Sequence, residues 1–375
     1  MTFELITLLF LQHNNKGDIL KKIIYYFLIF GIISIITLYA ANSILPKNLE
    51  NIYLKQLFFY LICSIFILKF KNNEIIYKNI RFIYIIGVLL LIYLILFGTP
   101  INNARCWIKI PFIGSFQPSE FMKITLVIYN AIILSSKTNK KFFKISLITI
   151  IPCILTYLEP DTGLVLIYLL SIFIMLFVYL KKTKYLMYLI ILATITLTTI
   201  ILLYYLNQNI LIKIFGNSIF LRVERLINWQ KQDGYQLNNA LIAMGSSGLL
   251  SFFNINVYYP ESHTDFIFAT FASAFGFIPS VILLIIILLF DLYLLNICKN
   301  TKNERDKLII TGFIAILIYQ QIQNIGMNLG LLPITGITLP FISYGGSSLL
   351  SYSIMLAIIK NTKKEKHSFS KPRNH

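Results

Sequence analysis

Long apolar runs, separated by short polar breaks, set the architecture of this chain before any single residue is considered. A membrane-crossing helix takes roughly 20 apolar residues. By that ruler about ten runs qualify: 23–45, 53–68, 82–97, 120–135, 143–158, 163–180, 185–206, 266–295, 308–329 and 337–359. Helices are expected because hydrocarbon cannot satisfy open backbone groups, and the runs are too long for barrel strands. The pattern predicts an all-α polytopic membrane protein with one membrane domain, 23–359, between an N-terminal segment (1–22) and a basic tail (360–375). Composition agrees: a chain of 375 residues that is 57% hydrophobic and only 13% charged is too poor in charge for a soluble fold.

The formal charge of +18 invites a nucleic-acid reading, which its distribution excludes. Positive residues gather in alternate loops: Lys16, Lys21 and Lys22; Lys69, Lys71, Lys78 and Arg81; Lys137, Lys140, Lys141 and Lys144; Lys181, Lys182 and Lys184; Lys299, Lys302, Arg305 and Lys307; then the tail. That alternation is the positive-inside pattern. Both termini are therefore expected in the cytoplasm, and the segments around Arg105, Glu159, Asp265 and Pro333 are expected together on the outer side. Residues 2–11 lack the basic flank and small-residue site of a cleavable signal peptide. Cys63, Cys106, Cys153 and Cys298 show no metal-ligand spacing and read as small buried hydrophobes.

Most connections are short, but 207–264 is a large outer loop, and loops of that length carry function or disorder. Within it, 221–229 reads as an amphipathic helix and 235–250 as a half-apolar segment ending in small residues. A helix lying on the outer leaflet and a lid or substrate groove fit this pattern equally.

The candidate chemistry lies at the outer edges of the runs. Asp265 closes a polar cluster (Glu261, Ser262, His263, Thr264) immediately before the run 266–295. An ionisable group is costly in or near a bilayer, so a site role is its default reading; a plain N-cap is the alternative. Burial and neighbouring charge would raise its pKa toward that of a working base, whereas a helix N-terminus would lower it. Pro118 suits the first turn of a helix, which sets Glu120 in that turn and Lys123 three residues on, on the same face. The two read either as a structural ion pair locking helices or as a functional pair. Arg105 fits a phosphate anchor or a snorkelling residue beside Trp107. The turn 158–163 carries Glu159 and Asp161, as solvated acids of a Pro-Asp-x-Gly turn or as a cation or sugar contact. Gln320, Gln321, Gln323, Asn324 and Asn328 interrupt the ninth run. After them, 333–348, with Ser343, is too rich in Gly and Pro for regular helix and reads as a wall or binding surface.

These segments, in this order, resemble the SEDS family (shape, elongation, division and sporulation), which includes RodA and FtsW. The matching pieces are ARCW at 104–107, FQPSEFMK at 116–123, EPDTG at 159–163, GYQLNNALIAMGSSGL at 234–249, PESHTDFIFA at 260–269 and NIGMNLGLLPITGITLPFISYGGSS at 324–348. The wording of 332–341 leans toward RodA. The resemblance implies a ten-helix bundle in the bacterial cytoplasmic (inner) membrane, with both termini on the cytoplasmic side. It implies a peptidoglycan glycosyltransferase that polymerises lipid II, the undecaprenyl-pyrophosphate-linked disaccharide-pentapeptide, for cell elongation or division. By the same resemblance, Asp265 is the essential aspartate that deprotonates the acceptor hydroxyl, and Glu120 and Lys123 are a functionally important pair. Arg105 matches a basic residue near the substrate cavity, and the partner is a class B penicillin-binding protein. A divalent cation (Mg or Mn) could neutralise the departing pyrophosphate, but no ligand set is evident.

Two departures stand out: no acidic pair follows 264–269, and the large loop lacks a DPxxDP-like stretch. The competing functions are a flippase for lipid-linked precursors and a non-catalytic scaffold for the penicillin-binding protein. A transporter should carry polar groups through the bilayer depth, whereas these cluster at its outer boundary.

Overall fold

A computed structural model describes residues 16–46, 49, 51–98, 105–110, 114–180, 198–199, 201–215, 220, 223–224, 234–253, 255 and 257–362. Within them the chain forms α1 (Lys16–Ala41), α2 (Ile52–Lys69), α3 (Glu74–Lys78), α4 (Ile80–Phe97), β1 (Ile108–Ile110), β2 (Gly114–Phe116), α5 (Pro118–Ser135), α6 (Lys141–Leu158) and α7 (Thr162–Leu180). There follow α8 (Gln208–Phe215), α9 (Gly234–Ser246), α10 (Ile267–Phe275), α11 (Phe277–Asn300), α12 (Glu304–Asn328) and α13 (Gly346–Lys360). Among the described residues seven helices are long and apolar enough to cross a membrane. They are joined by α5, which carries a buried ion pair, and by the shorter α13. This is an all-α polytopic membrane protein. Most of the run 185–206 and of the amphipathic stretch 221–229 lies outside the described residues, as do 1–15 and the tail beyond 362.

Local chemistry accounts for several boundaries. Pro118 opens α5, where a missing N–H costs nothing. The Asn303 side chain caps α12 by accepting from the Asp306 amide. The helix α12 is the enclosed axis of the bundle, most of its side chains buried, while α4 exposes most of its own toward the lipid. At the lysine-rich end the Lys360 ammonium donates to the carbonyls of Ile67 and Phe70, at 2.5 and 2.7 Å, closing the C-terminus of α2. Arg305 at that end pairs with Glu74 at 2.7 Å and lies over the Tyr77 ring.

Two expected spans differ from the sequence pattern. The run 266–295 is not one helix; it breaks at Gly276 (φ 92°) into the short buried α10 and the long α11. Pro279 cannot donate to the Phe275 carbonyl four residues back, and the loop 248–253 pairs with the freed backbone. Ser251 and Phe253 amides donate to Phe275 and Ala274 carbonyls, and Phe277 and Ile278 amides donate to Gly248 and Leu249 carbonyls. A Cβ at Gly276 would lie 2.8 Å from the Leu249 carbonyl oxygen, so only glycine admits the approach.

The run 337–359 is likewise helical only from Gly346. The preceding segment is irregular at membrane depth, and its backbone is satisfied by side chains, as lipid-excluded loops require. Ser34 donates to the Ile342 carbonyl, Gln56 to the Ser343 carbonyl and Tyr60 to the Phe341 carbonyl. Phe341 plugs this segment into the core against Phe30, Phe290 and Tyr352, with ring centroids 5.1–5.6 Å apart.

Replacing Gly276 with Ala forces a side chain into a left-handed backbone and an occupied space, at a cost of about 2 kcal/mol or more. Thermal unfolding of the purified variant should show a melting temperature several degrees below wild type. An unchanged value would mean the break does not depend on that glycine.

Candidate functional site

The turn 260–266 is held from beneath by two amides of α12. Asn324 donates to the Asp265 carbonyl at 2.8 Å and Asn328 donates to the same oxygen at 2.9 Å. Asn328 also accepts from the Ala269 amide at 2.9 Å, tying the first turn of α10 into the clamp. The second bond of Asn324 runs to the Ile337 carbonyl at 2.8 Å, so one side chain fixes the Asp265 turn and the 333–345 segment together. Ser343 adds a strut, donating to the Thr264 carbonyl at 2.6 Å while accepting from the Leu339 amide. The Tyr344 amide donates to the His263 carbonyl. From outside, α9 packs Leu237, Ala240 and Ala243 onto Tyr259, Phe266 and Ala269. Gln236 and Asn239 donate to the carbonyls of Pro260 and Tyr258. The half-apolar stretch of the large loop is thus a brace for the Asp265 turn.

Asp265 is not an N-cap: Phe266 holds that position and α10 starts at Ile267. Its carboxylate is half-buried, and none of the described groups donates to it. Burial, then the charges of Glu261 and Asp161, push its pKa up to about 7. Of the opposing pulls in the sequence, burial and neighbouring charge thus outweigh the helix N-terminus. Glu261, at a left-handed φ of 55°, accepts from the Thr264 hydroxyl at 2.6 Å. Burial lowers the pKa of His263, whose Nδ1 is shielded without a hydrogen-bond partner.

A second group meets this turn from α5 and the α6–α7 connection. Lys123 is fully buried, bonded to Glu120 at 2.5 Å and set 4.4 Å from the Tyr352 ring centroid. Glu120 also accepts from the Ser351 hydroxyl at 3.2 Å. Asp161 spends both its oxygens: Gln117 donates to one at 3.0 Å and the Leu164 amide to the other at 3.1 Å, which starts α7. Burial still pushes Asp161 up to about 6. Glu159 differs from the solvated acid its turn suggests. It is 1% exposed, neither carboxyl oxygen has a hydrogen-bond partner, and burial followed by the Asp161 charge pushes its pKa up to about 8. The Cys106 thiol donates to the Glu159 carbonyl.

The structure therefore gathers Glu120, Lys123, Asp161, Glu261, His263, Thr264, Asp265 and Ser343 at the end of the bundle opposite the lysine-rich loops. Arg105 stays apart, exposed, its guanidinium donating to the Ile95 carbonyl at 3.3 Å. Sequence reasoning singled out Asn324 and Asn328 only as polar interruptions. Their partner in the fold lies 59 and 63 residues away, so no local signal could assign the clamp. Gln117 and Ser351 were missed for the same reason. Among the described residues no three His, Cys, Asp or Glu side chains converge as a metal-ligand set.

Residues 19–368 match the family model of the FtsW, RodA and SpoVE cell cycle proteins. A relative from Buchnera aphidicola, named "Probable peptidoglycan glycosyltransferase FtsW", is 33% identical over 374 residues, covering 92% of this chain and 89% of its own. A Bacillus subtilis protein of the same name is 29% identical and covers 90% and 89%. Among solved structures, a chain from work on structural coordination of polymerization and crosslinking by a peptidoglycan synthase complex superposes with a TM-score of 0.73. It is 24% identical and covers 91% of this chain and 96% of its own. The Thermus thermophilus rod shape determining protein RodA gives 0.64 at 22% identity, covering 92% and 97%. The chain belongs to the FtsW/RodA/SpoVE family.

Glu159 gives a stability prediction with a defined sign. Its folded-state pKa is raised from 4.5 to about 8, so the protonated form favours the fold. That contribution is complete below the unfolded value and is lost as pH rises through the folded one. Glu159→Gln, which cannot ionise, should melt close to wild type near pH 5 and several degrees above it near pH 8. Parallel melting curves across that range would show that Glu159 is solvated after all.

Proposed function

We propose that this protein is a peptidoglycan glycosyltransferase that polymerises lipid II, with Asp265 as the general base. The carrying observation is the asymmetry between its two central aspartates. Asp161 has both oxygens committed to donors, while Asp265 has none committed and is held only by its backbone. A group with free lone pairs and a pKa near 7 is matched to taking a proton at neutral pH.

In this reading the Asp265 carboxylate accepts the proton of the acceptor sugar's 4-hydroxyl. The oxygen then attacks the anomeric carbon of the donor, and the lipid pyrophosphate leaves. Because two amides lock the turn, the carboxylate is oriented before substrate arrives, which is the positional part of catalysis. The buried Glu120–Lys123 pair sets the field around Asp161: Lys123 lowers and Glu120 raises the cost of its ionisation. Asp161 in turn holds Asp265 high. Glu159, His263, Thr264 and Ser343 support the turn and its surroundings, and Arg105 serves as a phosphate anchor at the rim.

The site belongs at the outer face of the bacterial cytoplasmic membrane, the side opposite the lysine-rich loops. A class B penicillin-binding protein would cross-link the strands made there. The chemistry is the same for elongation and for division. The gathering of carboxylates at one end of the bundle supports surface chemistry over lipid transport.

Purified protein, alone and with its penicillin-binding partner, should convert labelled lipid II into glycan chains. Asp265→Asn should lower that rate about 10²- to 10⁴-fold, the range lost with a general base. Glycan of equal yield from the variant would remove Asp265 from the mechanism. In the same assay Lys123→Ala, which strands a buried carboxylate, should impair polymerisation far more than Lys137→Ala at an exposed position. Equal losses from both would leave the ion pair without a special role.

A further inference from the structure

The residue facing the Asp265 carboxylate is Gly336, in a left-handed conformation (φ 69°) and exposed. A Cβ built there would have one neighbour within 4 Å, the Asp265 Oδ2 at 3.6 Å. The space over Gly336 is therefore open except where it meets the carboxylate. Behind it the segment cannot retreat. Gln323 donates to the Pro333 carbonyl at 2.8 Å, and Asn324 donates to the Ile337 carbonyl. Gly163 backs onto Thr335 and Ile337, where a Cβ would lie 3.3 Å from the Thr335 oxygen and 3.0 Å from Ile337. Because Asn324 also holds the Asp265 carbonyl, Gly336 and the carboxylate are positioned as one body.

The spacing has a chemical meaning. A hydroxyl donating to a carboxylate sits about 2.5–3.0 Å from its oxygen, which places the carbon bearing that hydroxyl about 3.5 Å away. That is the place a side chain on residue 336 would begin. We infer that Gly336 is the seat of the acceptor sugar: the missing side chain leaves room for the ring carbon whose hydroxyl Asp265 deprotonates. Gly336 acts as a specificity-determining position through the space it leaves, and it does no chemistry itself. The inference rests on the glycosyltransferase reading and adds to it which half of the substrate lies against the 333–337 segment. The donor, whose anomeric carbon is attacked from the far side of that hydroxyl, lies away from Gly336.

The test must separate loss of space from backbone strain, since any residue but glycine is strained at this φ. Gly330 provides the control. It has nearly the same φ, 71°, but a Cβ there would meet only Leu237 and Leu241 atoms at 3.7 Å or more. The assay couples two lipid II analogues on the full-length protein: a donor blocked at its 4-hydroxyl, and an acceptor whose anomeric linkage cannot be cleaved. Gly336→Ala should raise the acceptor KM about tenfold or more, the scale of a misfitted methyl group in a pocket, and leave the donor KM within about twofold. Gly330→Ala should leave both near wild type. Direct titration of a fluorescent acceptor analogue should show the same loss of affinity in Gly336→Ala without turnover. Unchanged acceptor affinity in Gly336→Ala, an equal rise for donor and acceptor, or the same loss in Gly330→Ala would each overturn the seat. A wild type that couples nothing, and is no better than Asp265→Asn, would overturn the parent reading and the seat with it. Normal coupling by wild type with unaltered acceptor binding in Gly336→Ala would overturn the seat alone.

Discussion

One polar contact inside the bundle organises everything at its outer end: the amides of Asn324 and Asn328 on the Asp265 carbonyl. Both asparagines are fully buried. A buried amide left without a partner costs about 1–3 kcal/mol, so the turn and α12 hold each other in place. Asn324 extends the constraint to Ile337, and Ser343 extends it to Thr264. The result is an irregular platform at membrane depth with its backbone accounted for, facing a carboxylate with free lone pairs. The geometry of the Asp265 turn is thus a by-product of satisfying main-chain groups where no water or lipid can do so.

The electrostatics follow from the same economy of donors. Asp161, Asp265, Glu159 and Glu261 share one end of the molecule, yet their environments differ. Asp161 is tamed by Gln117 and the Leu164 amide, while Glu261 takes the Thr264 hydroxyl. Glu159 is sealed without a donor and stays protonated near neutral pH. Asp265 alone combines partial exposure, free oxygens and a raised pKa. The Glu120–Lys123 pair is wholly enclosed, and breaking such a pair by removing one partner typically costs about 3–5 kcal/mol. Its effect on the site is therefore inseparable from its effect on the junction of α5 with α13, where Ser351 and Tyr352 also contact it.

Much of this was legible in the sequence. The spans of α2, α4, α5, α6 and α7 fall within a turn of the apolar runs, because hydropathy alone sets them. Asp265 was visible as an ionisable residue at the edge of such a run, and the Glu120–Lys123 contact followed from a spacing of three after Pro118. What escaped was long-range. Gly276 and Pro279 mark a local break in a mostly apolar stretch, but the loop from 248–253 that pairs with the opened backbone is long-range and left no local signal. Glu159 looked solvated because burial is a property of neighbours, not of a Pro-Asp-x-Gly turn. Asn324 and Asn328 announced polarity at membrane depth without naming their target.

The central claim is that a clamped, donor-free Asp265 is the group that takes the proton. The pH dependence of kcat/KM for lipid II polymerisation reports on the ionisation of the free enzyme's base. The account predicts an acid limb that rises with unit slope to a plateau, with its midpoint near 7, as the raised pKa of Asp265 requires. A rate that stays level down to pH 5 would contradict it, since an ordinary solvated carboxylate, or no carboxylate at all, would then be serving as the base.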